Sequence, residues 1–130
     1  MAGELILIIE DNEKNRKLER DILQFHGYRT VEADNAEEGI RLAQATPPAL
    51  ILMDIQLPGM NGIEALQRLR TDPRLRAIPV IAVTASAMTH DRQKIMAAGF
   101  DGYQAKPIDV TQFVAAVRRT VGHPAAGDPR

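Results

Sequence analysis

Five short apolar runs alternate along the chain with longer stretches of helical spacing. The runs are Leu5–Ile9, Tyr28–Glu32, Ala49–Met53, Val80–Thr84 and Gly102–Ala105. Those at 5–9, 49–53 and 80–83 are nearly continuous aliphatics, the mark of strands buried on both faces. Between the runs, Leu18, Ile22 and Phe25 fall at i, i+4 and i+7 and predict a first helix, stopped by Gly27. Ala36, Ile40 and Ala43 predict a second, opened by Asn35 with Glu38 three residues on as a capping box. Ile63, Leu66 and Leu69 predict a third. The clearest stripe is Val110, Phe113, Val114, Val117 and Val121, started after Asp109 with Gln112 at the capping-box position and stopped by Gly122. Ala87–Ala98, ending near Gly99, predicts a further helix whose core-facing stripe is thin: only Met88, Ile95 and the alanines are apolar. An element so lightly anchored is the easiest to shift.

A strand followed by a helix, five times over, implies an α/β fold with a parallel sheet between two helical layers and right-handed crossovers. The length of 130 residues suits one domain, which buries roughly 65–70% of the surface exposed by its unfolded chain. That domain is expected over residues 1–121, with the Pro/Gly/Ala-rich segment 122–130 as a fraying tail. Lys and Arg number 16 against 17 Asp and Glu, a net charge of -1, so no excess of positive charge drives binding to nucleic acid or an acidic membrane. Absence of cysteine excludes disulfides, thiolate metal sites and a cysteine nucleophile. The longest N-terminal apolar run is too short for a signal segment or a membrane span, which points to a cytoplasmic location.

In open α/β sheets, ligands bind outside the carboxyl ends of the strands. Glu10-Asp11, Asp54, Thr84-Ala85 and Lys106-Pro107 end the first, third, fourth and fifth runs. Each has an ordinary reading. Acids before helices cap them or complement the helix dipole, Asp54 before a Pro-Gly loop can start a turn, Thr favours strands, and Lys-Pro is commonly a solvated loop. Their chemical complementarity on one edge outweighs those separate readings. Three neighbouring carboxylates repel unless a cation sits among them, and hard oxygen donors suit Mg²⁺. A carboxylate can attack phosphorus to form an acyl phosphate, whose charge an ammonium and a hydroxyl then help to neutralise.

These residues resemble the receiver domains of two-component response regulators over residues 4–121. The motifs are IIEDN at 8–12, ILMDIQLPGMNG at 51–62, IPVIAVTASAM at 78–88 and YQAKPI at 103–108. The EDNEKN start and the MDIQLP segment are most similar to stand-alone cell-cycle regulators, and receivers of hybrid histidine kinases share much of the pattern. The resemblance implies a flavodoxin-like (βα)5 fold with strand order 2-1-3-4-5 and five helices on both faces. It implies Asp54 as phosphoacceptor, with Glu10, Asp11, Asp54 and the backbone carbonyl of Gln56 as Mg²⁺ ligands. Thr84 then matches the switch hydroxyl and Tyr103 the switch aromatic. Lys106 matches the family's lysine, followed by Pro107 through a peptide bond that is typically cis. Gln56 and Ser86 occupy positions that tune the lifetime of the aspartyl phosphate.

The expected function is therefore that of a single-domain response regulator, phosphorylated by a histidine kinase or histidine phosphotransferase. Its output surface would be the last two strands and helices. A receiver excised from a hybrid kinase is the alternative. An enzyme is not expected, because an aspartate-nucleophile phosphatase carries a second Asp where Gln56 stands. A nucleotide-binding module lacks its glycine-rich motifs here, and a phosphorylation-independent interaction domain has no need of the intact set of site residues. Met53, Met88 and Met96 are read as core or helix-contact residues, and His26, His90 and His123 as solvated. Arg68, Arg70, Arg74 and Arg76 are read as an exposed face with no aromatic platform for nucleic acid.

Overall fold

A computed structural model describes residues 3–85 and 89–121, the side chains of 89 and 90 excepted. The expectations for Ser86, Met88, the His90 side chain, Gly122, His123 and the segment 122–130 lie outside the described residues. Five strands alternate with five helices: β1 (Leu5–Ile9), α1 (Glu13–Phe25), β2 (Arg29–Ala33), α2 (Ala36–Ala45), β3 (Leu50–Asp54), α3 (Gly62–Thr71), β4 (Val80–Thr84), α4 (Thr89–Ala97), β5 (Gly102–Ala105) and α5 (Val110–Val121). All strand pairs are parallel, in the order β2-β1-β3-β4-β5.

The three aliphatic runs become the three central strands, and the two more polar runs become the edges. β3 and β4 are buried at every position and β1 at all but its first, whereas β5 is half-buried throughout. Period-two alternation sends these side chains into two separate cores. Leu7, Ile9, Ile51, Met53, Val80 and Ala82 face one side, where Ala36, Ala43, Leu66, Leu69 and Ile95 meet them. Ile6, Ile8, Leu50, Leu52, Ile81 and Val83 face the other, against Ile22, Leu23, Phe113 and Val117.

Local signals set most helix ends. Asn12, Asn35 and Asn61 cap α1, α2 and α3 by accepting from the backbone N–H three residues on. Gln112 N donates to Asp109 Oδ1 at the start of α5. The reciprocal capping box forms at Asn61 and Glu64, a pair not singled out above. At Asn35 the Glu38 carboxylate pairs with Arg41 instead. Gly27, at φ +92°, supplies the left-handed backbone that ends α1.

Several expected core faces are corrected. On α1, Leu18 is 40% and Phe25 85% exposed, and the buried residues are Glu19, Ile22 and Leu23. Helical periodicity had selected the apolar stripe, but the helix is rotated so that an acid lies inside. Val110 and Met96 are each 46% exposed, because they lie at or near helix ends beyond the reach of the sheet. Ala65 joins Leu66 and Leu69 on the buried side of α3, and Gly39 joins Ala36 and Ala43 on α2. His26 is half-buried, its Nδ1 2.9 Å from Ile22 O and its ring edge-on to Phe25. Arg70 is not simply part of an exposed face. Its guanidinium donates to Arg76 O, Ile78 O, Gly99 O and Asp101 Oδ2, tying α3 to the entry of β4 and the loop before β5.

α4 has the light anchorage its composition implies. Ile95 is its one buried residue among those with described side chains. Arg92 of α4 lies over the Tyr103 ring, 5.1 Å from its centroid.

The loop that follows β3 folds back tightly. Gly62 N donates to Ile55 O, and a Cβ at residue 62 would stand 2.7 Å from Asp54 O and 2.9 Å from Ile55 Cα. Both neighbours are backbone, so neither yields easily. Replacing Gly62 by Ala is expected to destabilise the fold by about 1–3 kcal/mol, read as a fall in the thermal unfolding midpoint. A Gly62→Ala protein as stable as the parent would show that this close approach carries no constraint.

Candidate functional site

Strand register assembles the site. Ile9 pairs with Met53, so the next residues stand side by side, Glu10 just past the end of β1 and Asp54 as the last residue of β3. Asp54 pairs with Val83, which places Thr84 one residue further out. Thr84 pairs with Ala105, which makes Lys106 the following step, and Lys106 N donates to Thr84 O at 2.8 Å. The residues expected to converge on one rim do so.

Glu10, Asp54 and Thr84 are buried at 1%, 4% and 0% exposure, while Asp11 is exposed. Carboxylate oxygens of Glu10, Asp11 and Asp54 lie within 4.8 Å of one another. Like charges about 5 Å apart repel by about 3 kcal/mol at an effective dielectric of about 20. Lys106 relieves part of that repulsion. Its Nζ is 2.8 Å from Glu10 Oε1 and 3.1 Å from Asp54 Oδ2, bridging the two buried acids. The other Asp54 oxygen, Oδ1, accepts from Gln56 N at 3.0 Å, which fixes the rotamer of the side chain. Glu10 Oε2 accepts from Asn12 N, and the backbone carbonyl of Glu10 accepts from Arg16 Nη1 at 2.9 Å. Arg16 and Arg20 also pair with Glu32 of β2, which locks α1 beside the rim.

The electrostatics follow from burial and from this crowding. Burial and then the Glu10 charge push the Asp54 carboxyl above the usual carboxylate range, opposed by Gln56 N–H and Lys106. Burial alone would lower the Lys106 ammonium, but its hydrogen bond to Glu10 and the Asp54 charge outweigh that and hold it above its ordinary value. The donor set fits a hard divalent cation: three carboxylates at one mouth, no nitrogen or sulfur ligand among them, and one exposed acid as the entry side.

Of the other residues marked in the sequence, Tyr103 is half-buried and packs against the core on the α2–α4 side. Gln56 is exposed, with its backbone beside Asp54. The Lys106–Pro107 bond is cis, as the family resemblance implied.

One residue of the neighbourhood escaped the sequence reading. Glu19 of α1 is 1% exposed and lies near enough to Glu10 to feel its charge. Burial, followed by the Glu10 charge, pushes its carboxyl well above the usual range. Its position three and four residues before Ile22 and Leu23 was the available signal, masked because an apolar-stripe search passes over acids.

A family model described as "Response regulator receiver domain" matches residues 6–118. The chain is 45% identical over 117 residues to a polar-differentiation response regulator DivK from Brucella anthropi, covering 90% of this chain and 95% of the relative. The DivK of Brucella ovis is 44% identical over the same shares. Among solved structures, the receiver domain of a Pseudomonas aeruginosa sensor histidine kinase, with a magnesium ion coordinated in its active-site cleft, superposes at a TM-score of 0.86. It is 33% identical, covering 93% of this chain and 99% of that one. The receiver domain of a histidine kinase from Syntrophus aciditrophicus gives 0.84 at 29% identity, covering 98% and 97%.

The buried acids make stability depend on pH. Between the ordinary Glu value of 4.5 and its raised folded value, Glu19 holds more protons in the folded than in the unfolded state. Its contribution is therefore present below 4.5 and is lost as pH rises through the folded value. Metal-free protein is expected to lose stability over that range, and Glu19→Gln to flatten the loss. Urea unfolding midpoints across pH 4 to 8 check this, and equal slopes for the two proteins would refute it.

Proposed function

The chain belongs to the response regulator receiver domain family, and on that footing we propose that it is a single-domain response regulator phosphorylated on Asp54. The phosphoryl donor is a phosphohistidine of a histidine kinase or histidine phosphotransferase. The Asp54 carboxylate attacks phosphorus, the P–N bond breaks as the P–O bond forms, and the released imidazole nitrogen takes a proton from solvent. One observation carries this reading. Asp54 is held at the strand ends by Gln56 N–H on one oxygen and Lys106 on the other, with Glu10 and Asp11 alongside.

Each neighbour then has a defined task. Glu10, Asp11, Asp54 and the backbone carbonyl of Gln56 would hold Mg²⁺. The bound ion supplies charge neutralisation for the incoming phosphoryl oxygens. Lys106 stabilises the same developing charge as an ammonium positioned before reaction begins, so little reorganisation is needed. Thr84, the buried last residue of β4, would serve as the switch group through its hydroxyl. Tyr103, at the second switch position, lies on β5 beneath Arg92 of α4.

Output follows from how lightly α4 is held. With Ile95 its one buried side chain among those described, little apolar contact opposes a shift of this helix when the rim changes charge. The surface of β4, α4, β5 and α5 is thus the face through which a downstream protein senses phosphorylation. The protein turns over no separate substrate and promotes only its own phosphorylation and dephosphorylation. An amide at Gln56 cannot serve as the acid/base an aspartate phosphatase needs. Among the described residues no helix is long and apolar enough to cross a membrane, in keeping with a cytoplasmic role.

Incubated with acetyl phosphate and Mg²⁺, the protein is expected to gain one acyl-phosphate group, stable in mild acid and cleaved by hydroxylamine. Asp54→Asn is expected to gain none. Intact-mass measurement reads both, and equal labelling of the variant would move the phosphoacceptor elsewhere. Lys106→Ala is expected to keep Mg²⁺ binding within a few-fold while losing the phosphorylation-dependent change of α4, followed by amide hydrogen exchange. Loss of Mg²⁺ binding instead would make Lys106 a structural support for the acids.

A further inference from the structure

Helix α4 carries a basic residue to which the function above gives no task. Arg92 is exposed, and its guanidinium lies over the Tyr103 ring, 5.1 Å from the centroid. An exposed arginine on a helix commonly pairs with an acid three or four residues away. Those positions around Arg92 hold Met88, Thr89, Ile95 and Met96, so its own helix offers the cation no carboxylate there. The electron-rich face of the ring is the partner that the fold supplies.

Side-chain parity puts this contact between the rim and the helix. Tyr103 pairs with Ala82 across β5 and β4, and both pack on the α2–α4 side of the sheet. Thr84 stands two residues past Ala82, so its side chain lies on the same side of β4. Arg92 lies one turn before Ile95, the buried residue of α4, and on the same face of the helix. The helix meets the sheet chiefly at β5. Its hold there thus has two parts, Ile95 in the core and Arg92 on the ring. Turning the ring about its side-chain bonds carries its face away from the guanidinium. Shifting α4 breaks the same contact from the other side.

We propose that Arg92 is a positioning residue for Tyr103, a latch that holds the ring and α4 together in the unphosphorylated protein and is released on phosphorylation. This rests on the reading of Asp54 as phosphoacceptor and of Thr84 and Tyr103 as the switch pair. The contact exists only while ring and helix keep their present arrangement, so it favours that arrangement of both. A cation over an aromatic face at an exposed site biases an equilibrium by about two- to fivefold. Such a bias keeps a lightly anchored helix in place and is small enough for a charge change at the rim to overcome.

Amide hydrogen exchange of α4 in the full chain tests the proposal. Arg92→Gln removes the cation and keeps helix propensity. In the unphosphorylated protein it is expected to lower α4 protection about two- to fivefold. Tyr103→Leu removes the ring and is expected to lower protection as well, and Arg92→Gln added to it to change nothing further. If Tyr103→Leu does not fold, Tyr103→Ile, favoured in strands, takes its place. An Arg92→Gln effect that is absent, or equally large with and without the ring, overturns the proposal. After labelling by acetyl phosphate and Mg²⁺ to equal extent by intact mass, wild type and Arg92→Gln are expected to exchange alike, because the contact is then already broken. A difference that survives phosphorylation undiminished makes Arg92 a plain support for α4 and overturns its part in the switch. Labelled wild type whose α4 exchange is unchanged overturns the output reading and the latch with it. The coupling of Arg92 to Tyr103 is measured without any phosphoryl group, which keeps the two failures apart.

Discussion

Everything at the rim depends on keeping two buried carboxylates and a third exposed one within a few ångströms of each other. Such crowding is unfavourable on its own, and the fold holds it together with one ammonium. Lys106 reaches Glu10 and Asp54 at once, from a loop two strands away from β3 and three from β1. The arrangement is therefore under electrostatic tension that a cation or a phosphoryl group relieves or redirects. A site of this kind responds to charge, which is the property a phosphorylation switch requires.

The sheet supplies the rigidity that the tension demands. Glu10 follows β1, and Asp54 and Thr84 end β3 and β4, the three central strands whose aliphatic residues are closed off on both faces by two cores. Backbone contacts complete the support: Gln56 N on Asp54, Lys106 N on Thr84 O and the tight return of Gly62 onto Ile55. Rigidity is not uniform, however. α1 is fastened to β2 by Arg16, Arg20 and Glu32, whereas α4 has Ile95 and the Arg92–Tyr103 contact. A charge change at a stiff rim is transmitted most readily to the most lightly held neighbour.

The strand ends were legible residue by residue because continuous aliphatic runs have one interpretation in an α/β chain. β1, β4 and β5 fall at the residues the runs marked, and β2 and β3 are displaced by a single residue. The acids, hydroxyl and lysine of the site were legible for the same reason: they interrupt those runs at their carboxyl ends. Helix faces were less legible. Phe25 is 85% exposed and Glu19 1%, the reverse of what hydrophobicity assigns them. An amphipathic pattern reports the average preference of a helix, and a single polar contact with the sheet can rotate which residues it buries. The full capping box at Asn61 and Glu64 and the structural use of Arg70 also depended on partners that spacing does not reveal.

From the sequence alone, then, came the order of elements, the three buried strands and the set of chemical groups at their ends. Those follow from local composition, which dictates what each segment can bury. Which groups touch, and with what consequence, was decided by tertiary structure. Register and side-chain parity place Glu10 against Asp54 and Lys106. Carboxyl pKa shifts, cation fit and the tension at the rim all vary with distance and burial, and neither quantity exists until the strands have paired.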